Sequence, residues 1–283
     1  MAKLPSSVAL LQGGLANQLL QAALISHEEQ ISIHRLSISD TLLTSRVRKF
    51  RGVSKRSISQ LFASQILPST RYNYLISRIR LRIPLFRETL YDGSLFRIHS
   101  PGQHVYKGDG LTPNVFSPKY NNYWVSVLQS LDQLFGVYSS PSYISVHVRW
   151  GDYSMAKTQI GTGLYPLPVS YYLSAISYLE GSGVDSTNLV FFSDSPDQVQ
   201  EAFKPALRSP FRVSRAGSAE EDLWKMSFSS NLILSNSTLS CVAAHLSKLR
   251  NTLGKAVAPS RWFLRDDFHP RFDLRQPDWI QLQ

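Results

Sequence analysis

A short segment near the middle of the chain combines a permanent cation with two titratable groups. It reads His147-Val148-Arg149-Trp150-Gly151-Asp152 and closes an apolar, β-branched stretch, 143–148, that predicts a buried strand. A guanidinium at a strand end can grip two phosphate oxygens at once, so Arg149 is a candidate for binding a diphosphate whose charge grows as it departs. Arg149 and Asp152 could instead form a structural ion pair, and the segment alone does not decide between the two.

A second polar cluster follows another predicted strand, 231–234, and precedes a helical pattern at 239–246. Its hydroxyl and amide groups, with the free N–H groups of a helix start, would make a pocket for an anion. An ordinary helix cap of Ser and Thr is the alternative. The candidate residues are Asn236, Ser237, Thr238 and Ser240.

Two carboxylates lie at other predicted element ends. Asp194 follows the strand 188–192, and it could touch a ligand or cap the helix that Pro196 opens. Asp222 begins a helical stretch, where it could accept the paired N–H donors of a guanine edge or cap the first turn. Spacing leaves both questions open.

The N-terminal loop 12–18 places glycines after the strand Ser7–Gln12 and before a helix at Leu15–Ile25. Gly14 would let backbone approach a ligand, with Asn17 and Gln18 as neutral donors and acceptors. The loop lacks the GxGxxG spacing of dinucleotide sites. No Asp is followed by another Asp two positions later, and His and Cys show no zinc spacing, so no metal ligands are predicted.

Strands that alternate with helices predict an α/β fold with a mostly parallel sheet covered on both faces. In such sheets ligands bind beyond the carboxyl ends of the strands, where the polar clusters fall. The turn-rich segment 100–122 separates two halves, and a helix predicted at 123–135 lies near the junction. We expect the domain boundary near Pro141.

The net charge of +10 over 283 residues is concentrated in one block. Residues 41–87 hold eleven Lys and Arg and no Asp or Glu. Such a block could solubilise the protein or meet nucleic acid, an anionic membrane or an acidic ligand. Few aromatic residues are interleaved and no nucleic-acid motif occurs, so nucleic acid is not expected as a partner.

Taken together, the motifs resemble those of the α-1,2-fucosyltransferases of glycosyltransferase family 11, as a divergent member. The family's GGLGNQLFQYA-like segment is similar to 13–23, and its HxRRxD motif to 147–152. Its FSDD motif is similar to 192–195, and its acidic-led helix and NSTFSWWAA to 222–226 and 236–244. Its Pro-x-x-Trp-Phe is similar to 259–263, so the resemblance spans nearly the whole chain.

The resemblance implies a GT-B-like fold of two facing Rossmann-type α/β domains, with the donor site in the C-terminal one. Residues 1–140 would form the acceptor-side domain and 141–283 the GDP-sugar domain. It further implies inverting transfer of fucose from GDP-β-L-fucose to the 2-hydroxyl of a terminal galactoside, without a metal or other cofactor. Arg149 would bind the diphosphate, Asp222 the guanine, and Ser237 with Thr238 the phosphates.

Three departures from the family pattern bear on this expectation. Trp150 replaces the second Arg of HxRRxD, Ala16 replaces a glycine, and an aromatic pair is replaced at 241–242. The catalytic base is open between Asp152 and His147. The rival functions are another GDP-sugar transferase, with a different donor or linkage, and a basic nucleic-acid-binding protein.

The expected location follows from segments that the chain lacks. Residues 1–12 show no signal-peptide pattern, no long apolar span occurs, and Cys241 is the single cysteine. These features favour the cytoplasm. Because family members that build bacterial surface polysaccharides commonly use lipid-linked glycans, we expect the basic block to contact anionic lipid at the inner face of the membrane.

Overall fold

The computed structural model describes a large part of the chain. The described residues are 7–11, 14–28, 36–40, 87–92, 95–100, 103–108, 111–136, 143–155, 163–264 and 273–283. The chain forms two compact units that divide between Leu131 and Asp132, and residues 274–283 belong to the second. The predicted boundary near Pro141 and the roles assigned to 1–140 and 141–283 stay predictions. Most of the basic block, 41–86, lies outside the described residues.

The N-terminal unit contains a sheet of five strands within the described residues, in the order β2-β1-β5-β4-β3. Strand β1 pairs in parallel with β2 and β5, whereas β3, β4 and β5 form an antiparallel meander that was not predicted. The elements are β1 (Ser7–Leu11), α1 (Leu15–Glu28), β2 (Leu36–Asp40), β3 (Arg87–Asp92), β4 (Leu95–Ser100), β5 (Gln103–Gly108) and α2 (Asn121–Phe135).

Helices α1 and α2 supply most of the described core of this unit. Leu19 and Leu20 of α1 and Trp124 of α2 are almost fully buried. The Tyr123 hydroxyl donates to the carbonyl oxygen of Leu19 at 3.1 Å, and the Trp124 indole N–H donates to that of Val115 at 2.9 Å. Both aromatic residues thus bury their rings while satisfying their polar atoms. The last turn of α2 belongs to the C-terminal unit.

The C-terminal unit is an α/β structure with a fully parallel sheet. Its described strands run in the order β11-β10-β9-β6-β7-β8. The elements are β6 (Ile144–Val148), α3 (Val169–Gly181), β7 (Leu189–Ser193), α4 (Pro196–Phe203), β8 (Phe211–Val213), α5 (Ala219–Met226), β9 (Asn231–Ile233), α6 (Thr238–Leu249), β10 (Lys255–Pro259) and β11 (Ile280–Leu282).

When the strands are numbered along the chain from β6 as first and the sheet is followed from β8 to β11, the order is 3-2-1-4-5-6. This is the arrangement of doubly wound nucleotide-binding sheets. Every residue of β6 is buried, as expected for a central parallel strand. A buried cluster that includes Val146, Tyr172, Phe191 and Phe203 packs α3 and α4 on the sheet. The predicted α/β fold class is therefore confirmed, with an all-parallel sheet in this unit.

Candidate functional site

The site residues of the C-terminal unit lie at or beyond the carboxyl ends of its strands. The strand order reverses between β6 and β9, which are neighbours in the sheet although β7 and β8 intervene in the chain. Such a reversal opens a crevice at the strand ends, and ligands of this fold bind there. Arg149 follows β6 and Ser235–Thr238 follows β9, so the two principal clusters predicted from the sequence flank the reversal.

The Arg149 guanidinium is held between two carboxylates. Its Nη2 lies 2.9 Å from Oδ1 of Asp152, and its Nη1 lies 3.1 Å from Oδ2 of Asp194. The group also lies over the ring of Tyr153, with 5.6 Å to the ring centroid. Burial acts to lower the pKa of Arg149, but the two carboxylates outweigh it, and the pKa lies above its ordinary value. Arg149 is therefore a fixed cation, and the ion pair considered from the sequence is present.

Asp194 does not cap the next helix. The N-cap residue of α4 is Ser195, whose own side chain makes no capping hydrogen bond. Instead, Oδ1 of Asp194 accepts the backbone N–H groups of Trp150 and Gly151, each at 3.2 Å. Because Val148 of β6 is in register with Ser193 of β7, the turn after one strand directly faces the residue after the other. Asp194 thus binds the turn that carries Arg149.

His147, a candidate base, is buried next to the strand reversal. Its side chain is 3% exposed, and its Nδ1 forms a hydrogen bond with the Ser235 hydroxyl at 2.7 Å. Burial, followed by the nearby Arg149 charge, lowers the pKa of His147 to about 3. The imidazole is therefore neutral near pH 7 and a weak proton acceptor, and its contact ties β6 to the segment after β9. Its catalytic role stays a prediction that this environment disfavours.

The β9–α6 turn uses many of its polar groups to hold itself together. Ser237 is the N-cap of α6, where its hydroxyl accepts the N–H of Leu239 at 3.4 Å. Ser240 is fully buried and donates to the carbonyl oxygens of Ser235 and Ser237 at 3.1 and 2.9 Å. Ser240 therefore faces the protein, whereas Ser237 and the partly exposed Thr238 lie at the helix start.

Asn236 serves the same turn with its amide nitrogen, which donates to the carbonyl oxygens of Tyr165 and Trp262 at 2.9 Å each. These two bonds join the turn to the segments after β6 and β10. The Asn236 Oδ1 atom is buried and has no hydrogen-bond partner among the residues that the structure describes.

Tyr153 is a site residue that the sequence reasoning missed. It is 8% exposed, and its hydroxyl donates to the carbonyl oxygen of Asn236 at 3.3 Å. Burial raises the pKa of Tyr153 to about 12, against the lowering effect of Arg149. Tyr153 therefore links the guanidinium to the β9–α6 turn as a neutral phenol. Its position directly after Asp152 was the available signal.

Asp222 lies at the carboxyl end of the edge strand β8. It does not cap α5, because the N-cap is Ser218, whose hydroxyl accepts the N–H of Glu221 at 3.1 Å. Oδ1 of Asp222 instead accepts the hydroxyl of Ser214, the residue after β8, at 3.0 Å. Burial raises the pKa of Asp222 to about 7, with Ser214 opposing the shift. A carboxyl group with a strongly raised pKa at a ligand-binding edge is a candidate for binding.

The remaining predicted site residues, Gly14, Asn17 and Gln18, belong to the N-terminal unit. Gly14 directly precedes α1, and its carbonyl oxygen accepts the N–H of Gln18 at 3.2 Å. Asn17 is half-buried and Gln18 is buried. Their predicted contact with a donor stays a prediction.

Within the described part of the chain, no group of three or more His, Cys, Asp and Glu side chains is placed to hold a metal ion. Within the same residues, no helix combines the length and apolar character that spanning a membrane requires.

Several solved structures are similar to the chain at low identity. The crystal structure of POFUT1 in complex with GDP is 10% identical, with a TM-score of 0.39, over 87% of this chain and 95% of that one. POFUT1 in complex with GDP-fucose is 11% identical, with a TM-score of 0.38, over 87% and 94%. A family 9 glycosyl transferase from Veillonella parvula is 15% identical, with a TM-score of 0.44, over 100% and 88%. A comparison with curated proteins found no match.

A protein-family model described as Glycosyl transferase family 11 matches residues 125–283. The match covers more than half of the chain and contains the whole C-terminal sheet, with every candidate site residue of that unit. It confirms the resemblance found in the motifs, although the similar segment at 13–23 lies outside the matched range. The chain therefore belongs to glycosyl transferase family 11.

Proposed function

We propose that this glycosyltransferase moves L-fucose from GDP-β-L-fucose to the 2-hydroxyl of a terminal galactoside, with inversion at the anomeric carbon. Membership of family 11 supports the reaction class, and the motif resemblance to α-1,2-fucosyltransferases supports the donor and the linkage. We propose a galactose-terminated, lipid-linked glycan as the acceptor. The basic block would make a peripheral contact with anionic lipid at the inner face of the membrane.

One observation supports a GDP donor most strongly, namely the order of groups along the carboxyl edge. Passing from β8 to β9, the strand ends carry Asp222, Asp194, Arg149 and then the start of α6. Strands β8 and β6 are two spacings apart, about 10 Å. Asp222 contacts Ser214 directly after β8, and Arg149 directly follows β6, so a base-binding carboxylate and a phosphate-binding cation lie at these two strand ends in the order that one nucleoside diphosphate requires.

The chemistry that these groups support is a single displacement. The acceptor oxygen bonds to the anomeric carbon, the bond from that carbon to the β-phosphate oxygen breaks, and GDP leaves with the electron pair. Arg149 and the N-terminus of α6 would stabilise the charge that accumulates on the departing diphosphate. The acceptor proton would pass to Asp152, whose side chain is 12% exposed and ion-paired with Arg149.

The test is incubation with GDP-fucose and a panel of galactosides, followed by NMR of the product linkage. An α-1,2-fucoside is expected. Turnover of GDP-mannose without GDP-fucose turnover would overturn the donor assignment, and a different linkage would overturn the acceptor position. Tight RNA binding with steep salt dependence and no GDP binding would instead favour a nucleic-acid-binding protein.

Arg149→Ala supplies the residue-level test. The variant loses a charge-assisted contact that strengthens as the diphosphate leaves. The transition state should therefore lose about 3 kcal/mol of stabilisation, which lowers kcat/KM roughly 100-fold or more, and Arg149→Lys should recover little. The matched control is Arg212→Ala, because Arg212 is an exposed arginine that bonds Asn188 Oδ1 at 2.8 Å beside β7. Equal GDP release by wild type and Arg149→Ala would make Arg149 a purely structural ion-pair partner.

A further inference from the structure

Asp194 is surrounded by donors from three consecutive residues of the turn after β6. Its Oδ1 accepts the N–H groups of Trp150 and Gly151 at 3.2 Å each, and its Oδ2 lies 3.1 Å from Nη1 of Arg149. A carboxylate offers about four lone-pair sites, so most of its capacity is used within the protein. Asp194 therefore occupies this turn much as a bound anion would.

Gly151 belongs to the same arrangement. A Cβ atom added at Gly151 would lie 2.4 Å from Oδ2 and 2.9 Å from Cγ of Asp194. Real Cβ atoms essentially never approach other atoms so closely, so any other residue here would displace the carboxylate or the turn. The close approach of Asp194 therefore explains why residue 151 is a glycine, and the two residues depend on each other.

The Arg149 guanidinium is held on more than one side by Asp194 and by neighbouring side chains. Asp194 pairs with Nη1, Asp152 pairs with Nη2, and the Tyr153 ring lies 5.6 Å away. The Arg149 side chain nevertheless keeps 27% of its surface exposed. An arginine already fixed by its neighbours loses little further freedom when it meets a ligand, which makes its electrostatic effect larger in the transition state.

We infer that Asp194 is a positioning residue, which holds Arg149 and the Trp150–Gly151 turn in their working geometry and does not itself touch the donor. This inference rests on the proposed function and changes the role that the sequence suggested for Asp194. The alternative is that the Asp194 carboxylate is a placeholder, which occupies the turn only until a donor phosphate displaces it. The two differ in the sign of the effect that removal of the carboxylate has on GDP affinity.

Asp194→Asn keeps the size of the side chain but removes the charge that pairs with Arg149. We expect kcat to fall about 10- to 100-fold with little change in KM for GDP-fucose, because misplacement of a group by about 1 Å can cost that much. GDP affinity, measured by calorimetry, should stay level or fall. A rise in GDP affinity would overturn the inference in favour of the placeholder, and wild-type turnover would overturn it outright.

The matched control is Asp185→Asn. Asp185 precedes the same strand β7 at its other end, where its Oδ1 accepts the backbone N–H of Thr187 at 2.9 Å. It is exposed and remote from the carboxyl edge, so turnover should not change. A double-mutant cycle adds the coupling: Asp194→Asn should have almost no further effect on turnover in the Arg149→Ala background. Independent, multiplying losses in that cycle would show that Asp194 does not act through Arg149.

A donor-independent readout separates this inference from the proposed function. In ¹⁵N NMR, the Arg149 guanidinium, assigned by its loss in Arg149→Lys, should rotate slowly in the wild type and Asp185→Asn and fast in Asp194→Asn. That result without any GDP binding would refute the proposed donor and leave the positioning of Arg149 standing. Equally slow rotation in Asp194→Asn would overturn the positioning, whatever the donor.

Discussion

Substitution of Asp222 by Asn should stabilise the protein while weakening its proposed donor site. Burial raises the pKa of this carboxyl group from 3.8 to about 7, so the folded protein disfavours the charged form. Ser214 Oγ donates to Oδ1, and an Asn side chain keeps that acceptor. The substitution therefore removes a charge that this partly buried site disfavours and retains the local hydrogen bond.

The magnitude follows from linkage between protonation and folding. Because the folded pKa is above the unfolded value, the stability that Asp222 contributes is complete below about pH 4 and is lost as the pH rises through about 7. Each pKa unit corresponds to about 1.4 kcal/mol. Asp222→Asn does not titrate, so its gain over wild type should be about 2 kcal/mol at pH 5 and about 4 kcal/mol at pH 8.

Urea unfolding at pH 5 and pH 8 measures this difference. Asp185→Asn is the control of opposite sign, since the backbone N–H of Thr187 lowers the pKa of Asp185 and its charged form is the favoured one. The reasoning would be refuted by equal gains for Asp222→Asn at both pH values, or by a variant less stable than wild type at pH 8.

The same substitution should have the opposite effect on ligand binding. An ionised Asp222 would accept the paired N–H donors of guanine, whereas an Asn amide would turn one donor toward them. We expect GDP to bind roughly 30-fold or more weakly, since a buried donor left unsatisfied costs about 2 kcal/mol. Wild-type GDP affinity should also fall below about pH 7, as Asp222 becomes protonated. Unchanged affinity in Asp222→Asn would place the guanine elsewhere.

Three other predictions concern the metal, the motif departure and the basic block. Excess EDTA should leave turnover unchanged, and a complete loss that Mg²⁺ restores would contradict metal-free transfer. Trp150→Arg should lower the melting temperature without raising GDP affinity, because the partly buried indole packs against the hydrophobic core of the unit. A tenfold tighter GDP complex would show a vacant phosphate contact there. Co-sedimentation of the protein with vesicles should require anionic lipid, disappear at high salt and weaken when three arginines become Gln. The reason is that each basic residue near such a surface contributes about 1 kcal/mol. Equal recovery with neutral vesicles would leave the block as a solubilising surface. The arginines are Arg78, Arg80 and Arg82.

The sequence predicted those elements that carry their own local signal. Strands β1, β6, β7 and β9 are apolar runs that end in polar turns, and α1, α2 and α6 follow helical periodicity. Strand β10, Lys255–Pro259, was not predicted because it begins and ends with residues that are rare in central strands. Its pairing with β9 and β11 comes from the tertiary structure.

The site residues also divide into those that carry a local sequence signal and those whose contacts depend on the tertiary structure. Arg149 and the start of α6 were identified because strand ends can be located in a sequence, and the ends of parallel strands share one edge. The contact between Asp194 and the Trp150–Gly151 turn spans more than forty residues and depends on the register of β6 against β7. No local pattern encodes that register, so helix capping and ligand contact were the alternatives available to sequence reasoning.

Trp150 stands where the family motif has its second arginine, and the position of the Trp150 side chain explains this difference. Its ring stacks on Phe203 at 6.0 Å, with 14° between the planes, and its indole N–H donates to the carbonyl oxygen of Leu167 at 2.9 Å. The position therefore faces the packed layer beneath α3 and α4, while Arg149 remains partly exposed among the carboxylates. A tryptophan here contributes packing instead of charge. With that second cation absent, Arg149 is the one arginine of the motif, and the positioning that we infer for Asp194 acts on it alone.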